Sequence, residues 1–392
     1  MKILLTNNTF YPYQRGGAET IIKRLAEDWS AAGHEVLVVA LKPKRQAGEL
    51  SHYTPRGYKV TYWLSNYYHI ENWSIWRRFI WHLPDWLGLR FLTDWLKTLN
   101  SFKPDLVVAN NLTGLGFSLH FSCWRLGISS VQVLHDLQYL HPSGLLIIGQ
   151  EKKFHTWSTK IYQTITASWF GSAKLLVGPS SWLINYHRQC GWLTSAKWLR
   201  LANPTPAKLA VSYRLADNLR RAVFVGQLTK AKGVLWLADQ WADFNRRLLA
   251  AGLKEAELII IGDGPLDKEI QSLVEQDRQL VLLGRLSSEQ VFAQLSLADV
   301  LLVPAFCYEN WPTVLLEAAT AGCPAIVTAQ GGGGELAERL GYLTFIAGDI
   351  DSLLVAWQKL ADTAAKIETR PANHDEVLVE SEEYLKQLLA SI

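Results

Sequence analysis

The sequence predicts an α/β protein of two doubly wound, Rossmann-like parallel-sheet domains, and three observations carry that prediction. Short apolar β-runs alternate with stretches of helical spacing, the pattern of parallel sheets covered on both faces. The alternation stops once, in the proline-bearing stretch NPTPAKLAVSYRLADN at 203–218, and then restarts. At 392 residues the chain is too long for one hydrophobic core. The expected division is therefore 1–205, 206–371 and a short charged helix over 372–392, for which the N-terminal domain offers a packing surface. Two sheets with their loop edges facing each other would enclose one cleft.

Each element follows from local pattern. In the first half, KILLTN (2–7) and HEVLVVAL (34–41) read as strands around a helix, GGAETIIKRLAEDWSAAG (16–33), that ends at a glycine. A tryptophan-rich segment, 62–97, intervenes. Then come PDLVVAN (104–110), a helix through GFSLHFSCWRLG (116–127), SSVQVLHD (129–136), a long helix from about Glu151, AKLLVGPS (173–180), another helix and AKWLRLANP (196–204). The second half supplies six β-runs: RAVFVG, AELIIIG, QLVLLG, ADVLLVP, PAIVT and GYLTFI. Helices follow them, one from about Val234 and one opened by Ser287 with Gln290 three residues on, as in a capping box.

Composition excludes several classes. Half the residues are apolar (49%) and 19% are charged, so the chain is globular rather than disordered. A net charge of +3 gives no global argument for nucleic acid. Four cysteines without C-x-x-C spacing predict neither a zinc site nor a disulfide framework, and a cytoplasmic setting follows. The N-terminal apolar run is too short for a signal peptide, and no stretch has the length to span a bilayer. Seventeen tryptophans stand against one methionine. In 62–97 Trp73, Trp76, Trp81, Trp86 and Trp95 interleave with Arg77, Arg78 and Arg90, which suits either a domain core or contact with the inner face of a membrane.

In open parallel sheets, ligands sit beyond the carboxyl ends of the strands, and each chemical motif lies at such a loop. In VGQLTKAKG (225–233), Gly226 ends a strand and Lys232 precedes Gly233 and a helix, a geometry that serves phosphate or merely a turn. The G-x-x-x-x-G-K-[ST] loop is absent, and no G-x-G-x-x-G follows the first strand, which weakens a nicotinamide reading. In PAFCYENWPTVLLEAATAGCP (304–324), Pro312 is expected at the first helical position and Gly322 at the close. Amides near Trp311 and Thr313 would face an anion, so Glu309 beside them suits an uncharged polyol. Glu317, more than a turn into the helix, suits a second pair of hydroxyls. Both glutamates also read as an ordinary cap-region charge and an ordinary helix residue. Four glycines in QGGGGE (330–335) allow close backbone approach or a flexible turn. Gly16 and Gly17 precede the first helix, and His135 and Asp136 end an inner strand.

Together these motifs resemble glycosyltransferase family 4, whose members have the GT-B fold. The likeness runs in order through YPYQRGGAE, HD, ANP, GQLTKAKG, IGDGP, LLGRLS, the E-x7-E element from Glu309 to Glu317, and GGGGEL. It implies that Glu309 contacts the donor sugar, Glu317 the donor ribose and Lys232 the diphosphate. It implies that Gly16 and Gly17 border the phosphates and acceptor, that His135 lies near the reacting carbon, and that backbone groups at Arg285 and Leu286 lie beside the base. Lys232, Glu309 and His135 are the expected catalytic set; Gly226, Gln227, Asn310, Trp311, Pro312 and Thr313 complete the expected donor contacts. Such enzymes are retaining and generally need no metal or other cofactor; the D-x-D at Asp349–Asp351 opens a late helix rather than a metal loop. One departure stands out, since members commonly carry Arg where this chain has Gln227.

The expected activity is transfer of a hexose from a UDP- or GDP-sugar to a hydroxyl of a glycan or lipid-linked glycan in cell-surface polysaccharide synthesis. The expected partners are that donor and acceptor, with membrane contact through 62–97 and no nucleic acid. Alternatives on the same fold are a nucleotide-sugar epimerase, a sugar phosphorylase, or a nucleotide-sugar-binding protein weakened at Gln227.

Overall fold

The structure is a computed structural model that describes residues 1–13, 16–44, 55–204, 212–214, 219–364, 369–371 and 379–392. The chain forms two compact units. One holds Met1–Leu145, Lys152–Pro206 and Val379–Ile392; the other holds Leu146–Glu151 and Ala207–Leu378.

The first unit begins β1 (Lys2–Thr6), α1 (Ala18–Ala31), β2 (Glu35–Pro43), β3 (Lys59–Ser65), α2 (Ile75–Trp86), α3 (Leu92–Phe102) and β4 (Leu106–Ala109). It continues α4 (Leu119–Arg125), β5 (Ser129–Val133), α5 (Trp157–Phe170), β6 (Leu175–Gly178), α6 (Ser181–Gln189) and β7 (Trp198–Arg200). The second unit runs β8 (Ser212–Arg214), β9 (Arg221–Val225), α7 (Val234–Asp239), α8 (Trp241–Ala250), β10 (Glu257–Ile261), α9 (Asp267–Gln276) and β11 (Leu280–Gly284). After these come α10 (Ser288–Leu297), β12 (Val300–Val303), α11 (Thr313–Ala321), β13 (Ala325–Thr328), α12 (Gly331–Arg339), β14 (Leu343–Phe345), α13 (Ile350–Ala364) and β15 (Thr369–Pro371). The closing helix, α14 (Ser381–Ser391), belongs to the first unit.

Seven parallel strands form the first sheet in the order β3-β2-β1-β4-β5-β6-β7, and six form the second in the order β11-β10-β9-β12-β13-β14. Inner strands such as β4, β6, β12 and β13 are buried at every residue, as expected when helices cover both faces. In each sheet the strand order reverses beside the first strand, between β1 and β4 and between β9 and β12. Loops leaving those neighbours diverge to opposite faces and open a crevice at the carboxyl ends.

Large aromatic side chains fill both cores, and three of them show how their indole N–H groups find carbonyl partners. Trp29 donates to Ser381 O at 2.7 Å, which fastens α14 to α1; Trp95 donates to Leu115 O at 2.9 Å, and Trp241 to Ala256 O at 2.9 Å. All four cysteines are buried thiols. Among the described residues, no helix is long and apolar enough to cross a membrane.

Four local expectations change. The start of the tryptophan-rich segment is the edge strand β3, in register with β2 from Leu37↔Lys59 onward; aromatic density hid its alternation. The helix expected from Glu151 is a short turn followed by α5, because Thr156 caps a new start by accepting from Thr159 N at 3.3 Å. The helix from Val234 breaks at Gln240 into α7 and α8. Within 203–218, β8 pairs antiparallel with β15, a long-range match that local pattern does not reveal; 205–211 and 215–218 lie outside the described residues. The capping box at Ser287 and Gln290 forms as expected.

Candidate active site

The site in the second unit is built where β9 and β12 part. Beyond β9, Gly226 N donates to Ile261 O at 3.0 Å and Gln227 is exposed; a tight turn over Lys230–Lys232 then ends at Gly233. Gly233 has φ +75°, and a Cβ there would lie 1.8 Å from the Pro304 carbonyl oxygen. Only glycine lets the turn rest on the end of β12. Phe306 N and Cys307 N both donate to Ala231 O, at 2.8 and 3.2 Å, and lock the two loops together. The consequence is an ion pair between Lys232 Nζ and Glu309 Oε1, both partly buried.

Burial by itself would weaken the hold of Lys232 on its proton, but the Glu309 charge and hydrogen bond outweigh it, and the ammonium titrates above its ordinary value. The neighbouring Cys307 thiol, 3.9 Å from Glu309 Oε1, is pushed up to about 12 by burial and then by that carboxylate. The thiol is therefore neutral, and the pair is one cation and one anion.

The other side of Glu309 is closed by the glycine run. Gly331, at φ +77°, lies so near that a Cβ would be 2.7 Å from Glu309 O, and Gly333 N donates to that oxygen at 3.0 Å. Gly331, Gly333 and Gly334 thus serve close approach. Leu146–Glu151 adds a further edge: Ile148 N donates to Phe306 O, Tyr308 N to Leu146 O and Tyr308 Oη to Glu151 Oε1, each at 2.9 Å. Asn310 and Trp311 are buried in the same loop. Pro312 is the extended residue before α11, not its first helical residue: ψ is 115°, and the helix begins at Thr313. No side chain caps α11, and Gly322 ends it at φ 70°. Glu317, half-buried one turn in, has its pKa raised by burial alone.

At the ends of β10 and β11, Gly262, Asp263, Lys268 and Gly284 line a depression of about 500 Å³, and Arg285 and Leu286 follow Gly284 in the chain. Arg285 Nη1 stands 3.7 Å from Asp263 Oδ2 at the surface. Lys230 turns to a groove of about 870 Å³ with Trp236 and Phe306. Asp349 is a helix cap, accepting from Asp351 N and Ser352 N at 3.0 Å. Among the described residues, no group of three or more His, Cys, Asp or Glu is placed to hold a metal ion.

The first unit has a parallel arrangement where β1 and β4 part. Asn7 Oδ1 accepts from Asn111 N at 3.1 Å, and Asn110 Nδ2 donates to Thr6 O at 3.0 Å. That leaves Asn110 Oδ1 to accept from His135 Nε2 at 2.7 Å, which sets the proton of the neutral imidazole on Nε2. Burial lowers His135 to about 4 and raises Asp136 to about 6, the latter partly offset by Gln138 N at 2.8 Å. Gly16 N donates to Glu19 Oε2 at 3.2 Å, while Thr9 Oγ1 donates to Glu19 Oε1 at 2.5 Å; Gly17 caps α1, and 14–15 lie outside the described residues. Sequence reasoning missed Asn7, Glu19 and Asn110. The signal was present: Asn-Asn pairs follow both strands that flank the reversal.

Residues 15–205 match the family described as Glycosyltransferase Family 4, and residues 220–368 match Glycosyl transferases group 1. The chain belongs to glycosyltransferase family 4. The resemblance carried by its motifs is thereby borne out, as is the pair of Rossmann-like domains of the GT-B fold. This glycosyltransferase is 26% identical to an uncharacterized 42.6 kDa protein in the cps region of Klebsiella pneumoniae, covering 90% of this chain and 92% of that one. It is 23% identical to a GDP-mannose-dependent alpha-mannosyltransferase of Corynebacterium glutamicum, over 85% of this chain and 73% of the relative. Among solved structures, Anabaena Alr3699/HepE in complex with UDP and glucose aligns over 100% of both chains with a TM-score of 0.65 at 17% identity, a likeness of fold.

Proposed function

We propose that this glycosyltransferase moves a hexose from a UDP- or GDP-sugar to a hydroxyl of a glycan or lipid-linked glycan, keeping the anomeric configuration and using no metal ion. The setting we propose is cell-surface polysaccharide synthesis, which the cps-region relative supports. The GDP-mannose named for one relative and the UDP bound to HepE both support a nucleoside diphosphate donor.

The observation that carries the reading is the Lys232–Glu309 pair beside the uncapped start of α11. An arriving diphosphate takes the ammonium and the α11 amides, and Glu309, released from Lys232, accepts from sugar hydroxyls. Glu317, with nothing but burial acting on it, accepts from the ribose. The base occupies the depression at the ends of β10 and β11. In the reaction the bond from the anomeric carbon to the diphosphate oxygen breaks, the acceptor oxygen bonds to the same face, and the acceptor proton passes to the leaving diphosphate. Catalysis is positioning together with charge stabilisation. Gln227 offers a neutral bond where an arginine would offer a charged one. On the first unit, His135 contributes a neutral imidazole rather than a charge, and Gly16 and Gly17 border the acceptor.

The test is nucleotide release from UDP- and GDP-sugars in EDTA, with and without a lipid-linked glycan extract. Wild-type protein is expected to release nucleotide, and Lys232→Ala to slow turnover by roughly 10- to 100-fold, the worth of one charged hydrogen bond. Equal turnover by the variant would remove Lys232 from the mechanism. Product formed without an acceptor, or formed with inorganic phosphate, would mark an epimerase or a phosphorylase.

A further inference from the structure

The tryptophan-rich segment of the first unit splits into two populations. Trp95 is fully buried, Trp63 packs on it with ring centroids 4.5 Å apart, and Trp81 carries the Arg90 guanidinium at 4.1 Å. Other residues face outward. Trp76 is 78% exposed, Phe79 and Ile80 continue its stripe on α2, and Leu87 and Leu89 stand exposed just beyond the helix.

Contacts join this face to two other helices. Phe79 meets Trp86 at 5.2 Å, and Trp169 Nε1 donates to Trp86 O at 2.7 Å. Trp169 meets Phe121 at 6.0 Å, and Phe121 meets Trp124, itself 64% exposed, at 5.7 Å. Ile161 and the 77% exposed Trp157 extend the surface along α5 at four-residue spacing. Single exposed apolar residues are ordinary; a contiguous aromatic face on three helices marks an interaction surface.

Its charge selects the partner. Across α2, α4 and α5 the one carboxylate is Asp85, fully buried and paired with Arg90 at 2.7 Å. Arg77, stacked on Trp73 at 4.0 Å, stands exposed on these helices with Arg78, Arg125 and Lys160, and Lys152 and Lys153 lie exposed just ahead of α5. On these helices cations without exposed anions repel a second copy of the same face and attract an anionic surface, and Glu151, ahead of Lys152, is engaged by Tyr308 Oη at 2.9 Å. Indole rings suit the headgroup depth of a bilayer.

We propose that the outward face of α2, α4 and α5 docks on a bilayer containing anionic phospholipid. This goes beyond the donor chemistry and is independent of it. The full chain is mixed with phosphatidylcholine vesicles with or without phosphatidylglycerol and separated by flotation. Wild-type protein is expected to float with the anionic vesicles and to stay behind with the neutral ones. Trp76→Ser, Ile80→Ser and Trp124→Ser combined are expected to lower binding at least tenfold. Arg77→Gln with Arg78→Gln should lower it on the order of tenfold and flatten its salt dependence. Leu249→Ser, at an exposed position of the second unit, should leave it unchanged, and urea midpoints check that all variants fold. Wild-type protein that fails to float, or that floats equally with both vesicles, overturns the proposal. A dimer in sedimentation equilibrium that Trp76→Ser with Ile80→Ser dissociates would also overturn it, by assigning the face to a second copy.

Discussion

At Gly233 a side chain has neither room nor a comfortable backbone conformation, because the Pro304 carbonyl oxygen lies where Cβ would go and φ is positive. Gly233→Ala is therefore expected to cost the second unit about 2–4 kcal/mol in urea denaturation. By lifting Lys232 away from Glu309 it should also slow nucleotide release about as much as Lys232→Ala does. A variant with unchanged midpoint and turnover would mean that the turn is not held there. Lys232, Glu309 and Glu317 were legible as residues from their spacing and strand-end positions. That Lys232 meets Glu309 across two separate loops was not, since the contact depends on backbone proximity between segments far apart in the chain. The same holds for Asn110, whose role beside His135 rests on the adjacency of β1 and β4.

Among elements, α2 is held by its buried carboxylate. Asp85 Oδ1 is ion-paired with Arg90 Nε at 2.7 Å, Asp85 Oδ2 accepts from Gly114 N at 3.1 Å, and Arg90 lies mostly buried over Trp81. Asp85→Ala would leave a buried guanidinium and amide unpaired, and about 3 kcal/mol of first-unit stability should be lost in urea denaturation. Asp85→Asn, which keeps an acceptor for Gly114 N, should lose less. In the sequence Asp85 looks like any exposed helix acid among aromatics. Burial turned it into an anchor, and only the packing of the helix shows that. Alternation and capping were readable because they repeat within a few residues; the β8–β15 pair was not, because its halves lie at opposite ends of the unit.

For the molecule as a whole, acid should act unequally on the two units. Burial lowers His120, His135 and His187 to about 4, and every described histidine belongs to the first unit. Between about 6.5 and 4 the unfolded chain binds protons at these sites and the folded chain does not, so stability falls as pH falls. The effect is on the order of 3 kcal/mol for each of the fully buried His120 and His187. Asp136, raised to about 6, takes its proton first in the folded state and offsets part of this. Hydrogen exchange at pH 7 and at pH 4.5 should show protection lost in the first unit well before the second; equal loss in both would contradict this account. By itself the sequence determined the alternating elements, the two sheets, the family and the types of residue at each strand end, because periodicity and turn chemistry are local. The tertiary structure alone decided which loops touch, which tryptophans are buried and which carboxylate is an anchor, because those depend on distances between parts of the chain that no local pattern relates.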